Sequence, residues 1–135
     1  MFHLRSIPVG MRVDRWLATD FPALIDLQKA YVLREMQDSV TTLAPQHRQV
    51  APQKIFDATQ AISAAFAAFW AARLSQPQLA VPFKAAGYLQ AGQELLAIWE
   101  STPDVAENDR AIIDGWAEKL GIAGWHQWVP YSAPK

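Results

Sequence analysis

The stretch at residues 52–74, PQKIFDATQAISAAFAAFWAARL, decides the fold. Ile55, Ile62, Phe66, Phe69, Trp70 and Leu74 recur at helical spacing, and alanines at 61, 64, 65, 67, 68, 71 and 72 fill the gaps. Alanine costs the least of any residue in a helix. In its second half the segment is apolar around most of its circumference, which predicts the central and most buried helix. Its small side chains would let neighbouring helices approach closely. The most apolar window, residues 61–72, has Ser63 as its one hydroxyl and is flanked by Asp57, Gln60 and Arg73. That window is shorter than the roughly 20 apolar residues a bilayer span needs. The expectation is therefore no membrane span and a cytoplasmic protein. The same apolarity fits either a core or a homodimer seam.

Working outward, prolines and glycines divide the rest of the chain. Residues 22–43 read as a first long helix, with Asp20 as candidate cap, Pro22 in the first turn and an apolar stripe of Leu24, Leu27 and Tyr31 beside Ile25, Val32, Met36, Val40 and Leu43. Residues 44–51 form a polar linker. A third helix covers residues 82–100, and its two interior glycines, Gly87 and Gly92, predict a close helix crossing. The fourth begins at Thr102 as N-cap with Pro103 in its first position, and it stops at Lys119 and Gly121. Residues 1–15 read as an irregular or short β segment, with Ile7-Pro8-Val9-Gly10 as a turn. Residues 122–135 read as an extended aromatic tail. The fold expected is mainly α, one domain over residues 1–135, a bundle of about four long helices.

Composition excludes much of the usual chemistry. The 135 residues are 51% hydrophobic with a net charge of −1, too apolar and too neutral for disorder. There is no cysteine, so disulfides, thiol nucleophiles and Cys-ligated metals are excluded. No glycine-rich phosphate loop and no G-x-S-x-G elbow occurs. His3, His47 and His126 lie far apart, with no acidic partner at helical spacing, so no metal site is expected. The reading has no catalytic residue and no cofactor.

What remains are surfaces. Residues 94–135 carry three basic and seven acidic groups, against nine basic and six acidic in residues 1–93. Asp109, Asp114 and Glu118 on the fourth helix form an acidic face suited to a basic protein partner, although a plainly solvated face gives the same pattern. Arg5, Arg12 and Arg15 form a weak candidate contact for an anionic partner, too sparse for a nucleic-acid binder; the alternative is internal pairing. In the tail, Trp125, His126, Trp128 and Tyr131 lie within seven residues. They read either as closure of the bundle or as a binding patch, because Trp and Tyr dominate interface hot spots. Five of the six tryptophans sort accordingly: Trp70, Trp99 and Trp116 fall on helical stripes and read as core, while Trp125 and Trp128 do not.

These readings predict a small non-catalytic helical protein that acts by protein–protein binding, as a regulator, inhibitor, immunity or accessory factor of bacterial or phage origin. The alternative is a small-molecule-binding or catalytic bundle with an aromatic-lined pocket.

Overall fold

The central segment behaves as its alanine-rich pattern dictates. In the computed structural model, which describes residues 2–130, 132 and 134, it forms helix α3 (Gln53–Arg73). Thirteen of its residues are buried, including Ile62, Phe66, Phe69 and Trp70, and α1, α2 and α5 pack against it. By length and composition α3 is also apolar enough to cross a membrane, and 67% of its apolar window is buried inside the protein.

Around it stand α1 (Phe2–Asp20), α2 (Ile25–Thr41), the single-turn α4 (Val81–Ala85), α5 (Leu89–Ser101) and α6 (Asp109–Lys119). Short 3-10 turns connect them, three of which start at a proline: Pro22, Pro45 and Pro77. The described residues contain no strand. Five helices of eleven residues or more and one short one replace the four long helices expected.

The N-terminal segment corrects the expectation of a short β or irregular element. Residues 2–20 are helical straight through Pro8. A proline inside a helix removes one hydrogen bond and costs about 3 kcal/mol. The tertiary context offsets this. Leu4, Pro8 and Met11 recur at i, i+4 and i+7 and are all buried, and the Pro8 carbonyl accepts a hydrogen bond from the Trp99 indole at 3.0 Å. Local turn preference loses to the burial of a whole helical face.

Two more boundaries shift for identifiable reasons. The predicted helix 82–100 is broken into α4 and α5 at Gly87, whose φ is +85°. The Tyr88 amide bonds the Phe83 carbonyl and the Gly87 amide bonds that of Lys84, a Schellman stop that ends α4. The fourth predicted helix starts at Asp109 rather than at Pro103. Thr102 does not cap it: its hydroxyl donates 2.8 Å backward to the Ile98 carbonyl and closes α5 instead. Likewise Asp20 ends α1 and caps nothing.

Gly92 bears out the close crossing. A Cβ placed there would lie 2.6 Å from the backbone and Cβ of Ala64, so α3 and α5 touch backbone to backbone. The Trp116 indole donates to the Leu95 carbonyl at 2.9 Å and ties α6 to α5. Trp70, Trp99 and Trp116 are all core, as their stripes predict. The Trp70 indole N–H is buried without a partner.

Candidate functional site

The tail and the acidic helix, two separate candidates in sequence, meet in one cluster. Asp114 on α6 accepts hydrogen bonds at Oδ1 from the Trp128 indole at 2.7 Å and from His126 Nε2 at 3.0 Å. Arg110 reaches its other oxygen at 3.6 Å and lies 5.2 Å from the centre of the Trp128 ring. The bond from Trp128, reinforced by that from His126, holds the Asp114 carboxyl below the usual carboxylate range. Trp125 is half exposed, with the Lys54 ammonium 5.9 Å from its ring centre. Tyr131 lies outside the described residues. Residues 126–130, which lack regular secondary structure, are therefore anchored on α6 as a strap through His126 and Trp128.

The Asp114–His126 pair resembles two members of a triad, with the carboxylate orienting the imidazole. Its other ring nitrogen, Nδ1, is buried and bonded to nothing, so no hydroxyl is placed to be activated by it. Among the described residues no group of three His, Asp or Glu side chains could hold a metal ion.

The charge asymmetry along the chain is also largely spent inside the molecule. Arg12 grips Asp109 with two bonds, Nε to Oδ1 at 3.0 Å and NH2 to Oδ2 at 2.8 Å. Arg15 pairs with Asp104 at 2.8 Å and its guanidinium stacks 4.2 Å from the centre of the Trp99 ring. Lys119 pairs with Glu94 at 2.7 Å. The basic end of α1 and the acidic start of α6 are thus one seam. Of the charged candidates, Arg5 and Glu118 remain exposed. Arg5 borders a cleft of about 580 Å³ beneath the strap, together with Leu4, Ile113, His126 and Trp128.

The largest departure from the sequence reading is on α2. Its buried face is Gln28, Val32 and Met36, which lean on α3. Of the apolar stripe read from the sequence, Val32 and Met36 are buried, while Leu24, Leu27 and Tyr31 point away: Leu27 is 71% and Tyr31 55% exposed. The reason is that α2 carries apolar residues around more than one face, and the fold offers a partner to only one of them. The neighbouring end of α1 adds Val13 and Trp16, the latter 50% exposed and packed edge-on against the equally open Phe21 at 5.3 Å. Sequence reasoning missed this surface. The available signal was the glutamine at 28 in step with Val32 and Met36, which marks a second face competing with Leu24, Leu27 and Tyr31.

Between α1 and α2 runs a groove of about 370 Å³. Ile7, Gly10 and Val13 line one wall, Tyr31 and Glu35 the other, and Phe66 of α3 the floor. Asp14 stands in the same groove, half-buried. Desolvation pushes its carboxyl up to about 6, and the more distant Arg73 offsets only part of that. The two helices are tied at this point by Gln28 Nε2, which donates to the Asp14 carbonyl at 3.0 Å, while Gln28 Oε1 is buried without a partner.

Compared with known proteins, the chain matches no family model, no curated protein and no solved structure. The reading of its function rests on these surfaces.

Proposed function

We propose that this chain is a non-catalytic helical protein that acts by binding another protein through the exposed apolar face of α1 and α2. The observation that carries the reading is the Leu24, Leu27, Tyr31 stripe, left open beside Trp16 and Phe21. Contiguous apolar surface rimmed by charged residues marks interaction sites, and aromatic residues are enriched at their centres. In this reading the aromatic strap and the acidic helix are internal closure, and the chain is one helical bundle acting as a cytoplasmic regulator, inhibitor or accessory factor.

The test is capture of a partner from the native cell extract. Wild-type protein and a Trp125→Ala/Trp128→Ala variant are expected to retain the same protein, and a folded Leu27→Lys/Tyr31→Lys variant to lose it. Full retention by the lysine variant would overturn the proposal.

A second reading is favoured by the cleft under the strap. Its volume, about 580 Å³, is in the range of small-molecule sites, and its apolar walls with Arg5 at the edge suit an anionic ligand with an apolar body. Quenching of Trp128 by such a compound, lost in Arg5→Ala, is the expected signature.

A further inference from the structure

We infer that the outer face of α2, with the groove that adjoins it at Tyr31, receives a basic amphipathic helix of the partner, its apolar side on Leu24, Leu27 and Tyr31 and a cationic side chain against Asp14 and Glu35. The inference rests on the protein-binding reading above and names the chemistry of the partner.

The groove combines two properties. It has an apolar lining of Ile7, Val13, Tyr31 and Phe66, and it carries two carboxylates beside His3 and Ser6. Asp14 and Glu35 both line it, and no lysine or arginine of the described residues lies within ion-pair distance of either. A carboxylate half-removed from water with no cation beside it is unfavourable, and an incoming ammonium or guanidinium would relieve that cost. The remaining titratable and charged neighbours are His3 on α1, Tyr31 on α2 and, at longer range, Arg73 on α3. The burial that raises the Asp14 carboxyl is the same feature that strengthens its attraction to a cation.

Shape selects a helix. The chain reverses at residues 21–24 and α2 returns beside α1, so the two present a trough. Helix-in-groove docking lays the apolar face of an incoming helix on such a surface, here Leu24, Leu27 and Tyr31. Gly10 keeps the trough clear, since a Cβ there would meet nothing within 4 Å.

Charge separates this occupant from its rivals. A symmetric pairing of two copies through this face would bring two grooves with the same Asp14 and Glu35 charge into one interface. An anionic lipid surface would meet the same repulsion.

Fluorescence anisotropy with labelled synthetic helices of about 18 residues, long enough to span some 27 Å, tests the proposal. One peptide has a leucine face flanked by lysines, and a second has glutamate in place of each lysine. The lysine peptide is expected to bind the full chain, with affinity at least about tenfold weaker for the glutamate peptide and for Asp14→Asn/Glu35→Gln. Binding is expected to weaken as pH falls from about 7.5 to about 5, because protonated Asp14 attracts no cation. Asparagine and glutamine keep the shapes of the acids, and helicity by circular dichroism confirms the fold.

No binding of the lysine peptide, equal binding of both peptides, or binding indifferent to Asp14→Asn/Glu35→Gln overturns the inference. Self-association or adsorption to anionic vesicles that Leu27→Lys abolishes assigns the face to a second copy or a membrane and overturns it too. The two readings fail separately. Partner capture lost in Leu27→Lys/Tyr31→Lys but intact in Asp14→Asn/Glu35→Gln rejects only the basic helix. Capture intact in both rejects protein binding at this face.

Discussion

Helices α3 and α5 meet through Gly92 and Ala64 with no room for a methyl group, while α1 and α2 stand apart across a groove bridged by Gln28. The first contact is dry, built from small residues and reinforced by the aromatic contacts of Phe69 with Trp70 and Trp99. The second leaves large apolar side chains in water and a carboxylate half-buried. Both regions draw on the same composition of alanine, leucine and aromatics. What differs is whether the fold supplies a second surface. The contrast teaches that the α3–α5 crossing is closed by small residues, while the α1–α2 pair shares the same core on its inner side and presents an open apolar face on its outer side.

Five substitutions break or sharpen that contrast. The largest effect is expected from Gly92→Ala. A Cβ at 2.6 Å from the Ala64 backbone cannot be absorbed by a rotamer change, so the helices must separate. A loss of about 3 kcal/mol or more is expected in urea unfolding, typical of severe overpacking. A fully stable variant would show that the crossing is looser than described.

The same substitution on the two sides comes next. Leu95→Ala, fully buried on α5, is expected to cost about 3 kcal/mol, whereas Leu27→Ala on α2 changes stability by less than about 0.5 kcal/mol. Similar costs at the two positions would erase the distinction between core and face.

Asp14→Asn probes the groove by pH. The Asp14 carboxyl is raised to about 6, so the folded state binds its proton more tightly than the unfolded chain does. Its contribution is therefore favourable at low pH and is lost as pH rises from the unfolded value through about 6. With allowance for solvent screening of a half-exposed group, the variant is expected to be more stable than wild type by on the order of 1 kcal/mol at about pH 7.5, with no difference near pH 3.5. Equal stabilities at both pH values would remove the desolvated carboxylate from the picture.

The smallest effect is at the end of α3. Ser75 adopts φ +52°, and the Gln76 amide bonds the Ala71 carbonyl, the same stop that Gly87 makes after α4. A left-handed serine is strained, so Ser75→Gly is expected to stabilise by about 0.5 kcal/mol after the entropy cost of glycine, visible as a small rise in Tm.

Much of the helical base was legible in the chain. The run 52–74 predicted α3 almost to the residue, Gly92 predicted the close crossing, and Trp70, Trp99 and Trp116 were recognisable as core. Lys119 and Gly121 marked the end of α6. The candidate site was less legible. Leu24, Leu27 and Tyr31 are spaced like a core stripe, and nothing in spacing says which of two apolar faces will find a partner. Trp128 and Asp114, 14 residues apart, could be joined only once α6 and the strap were placed together.

By itself, then, the sequence determined that the run 53–73 is helical and sits at the centre, because alanine content and apolar periodicity act locally, residue by residue. It also determined that Gly121 would stop a helix, since a backbone at φ +67° favours glycine. Only the tertiary structure decided that residues 2–20 form a helix through Pro8, that Arg12 and Arg15 are committed to Asp109 and Asp104, and that α2 turns Leu27 and Tyr31 outward. Those outcomes depend on which surfaces meet. Burial is a property of pairs of faces, and a linear pattern specifies each face without naming its partner.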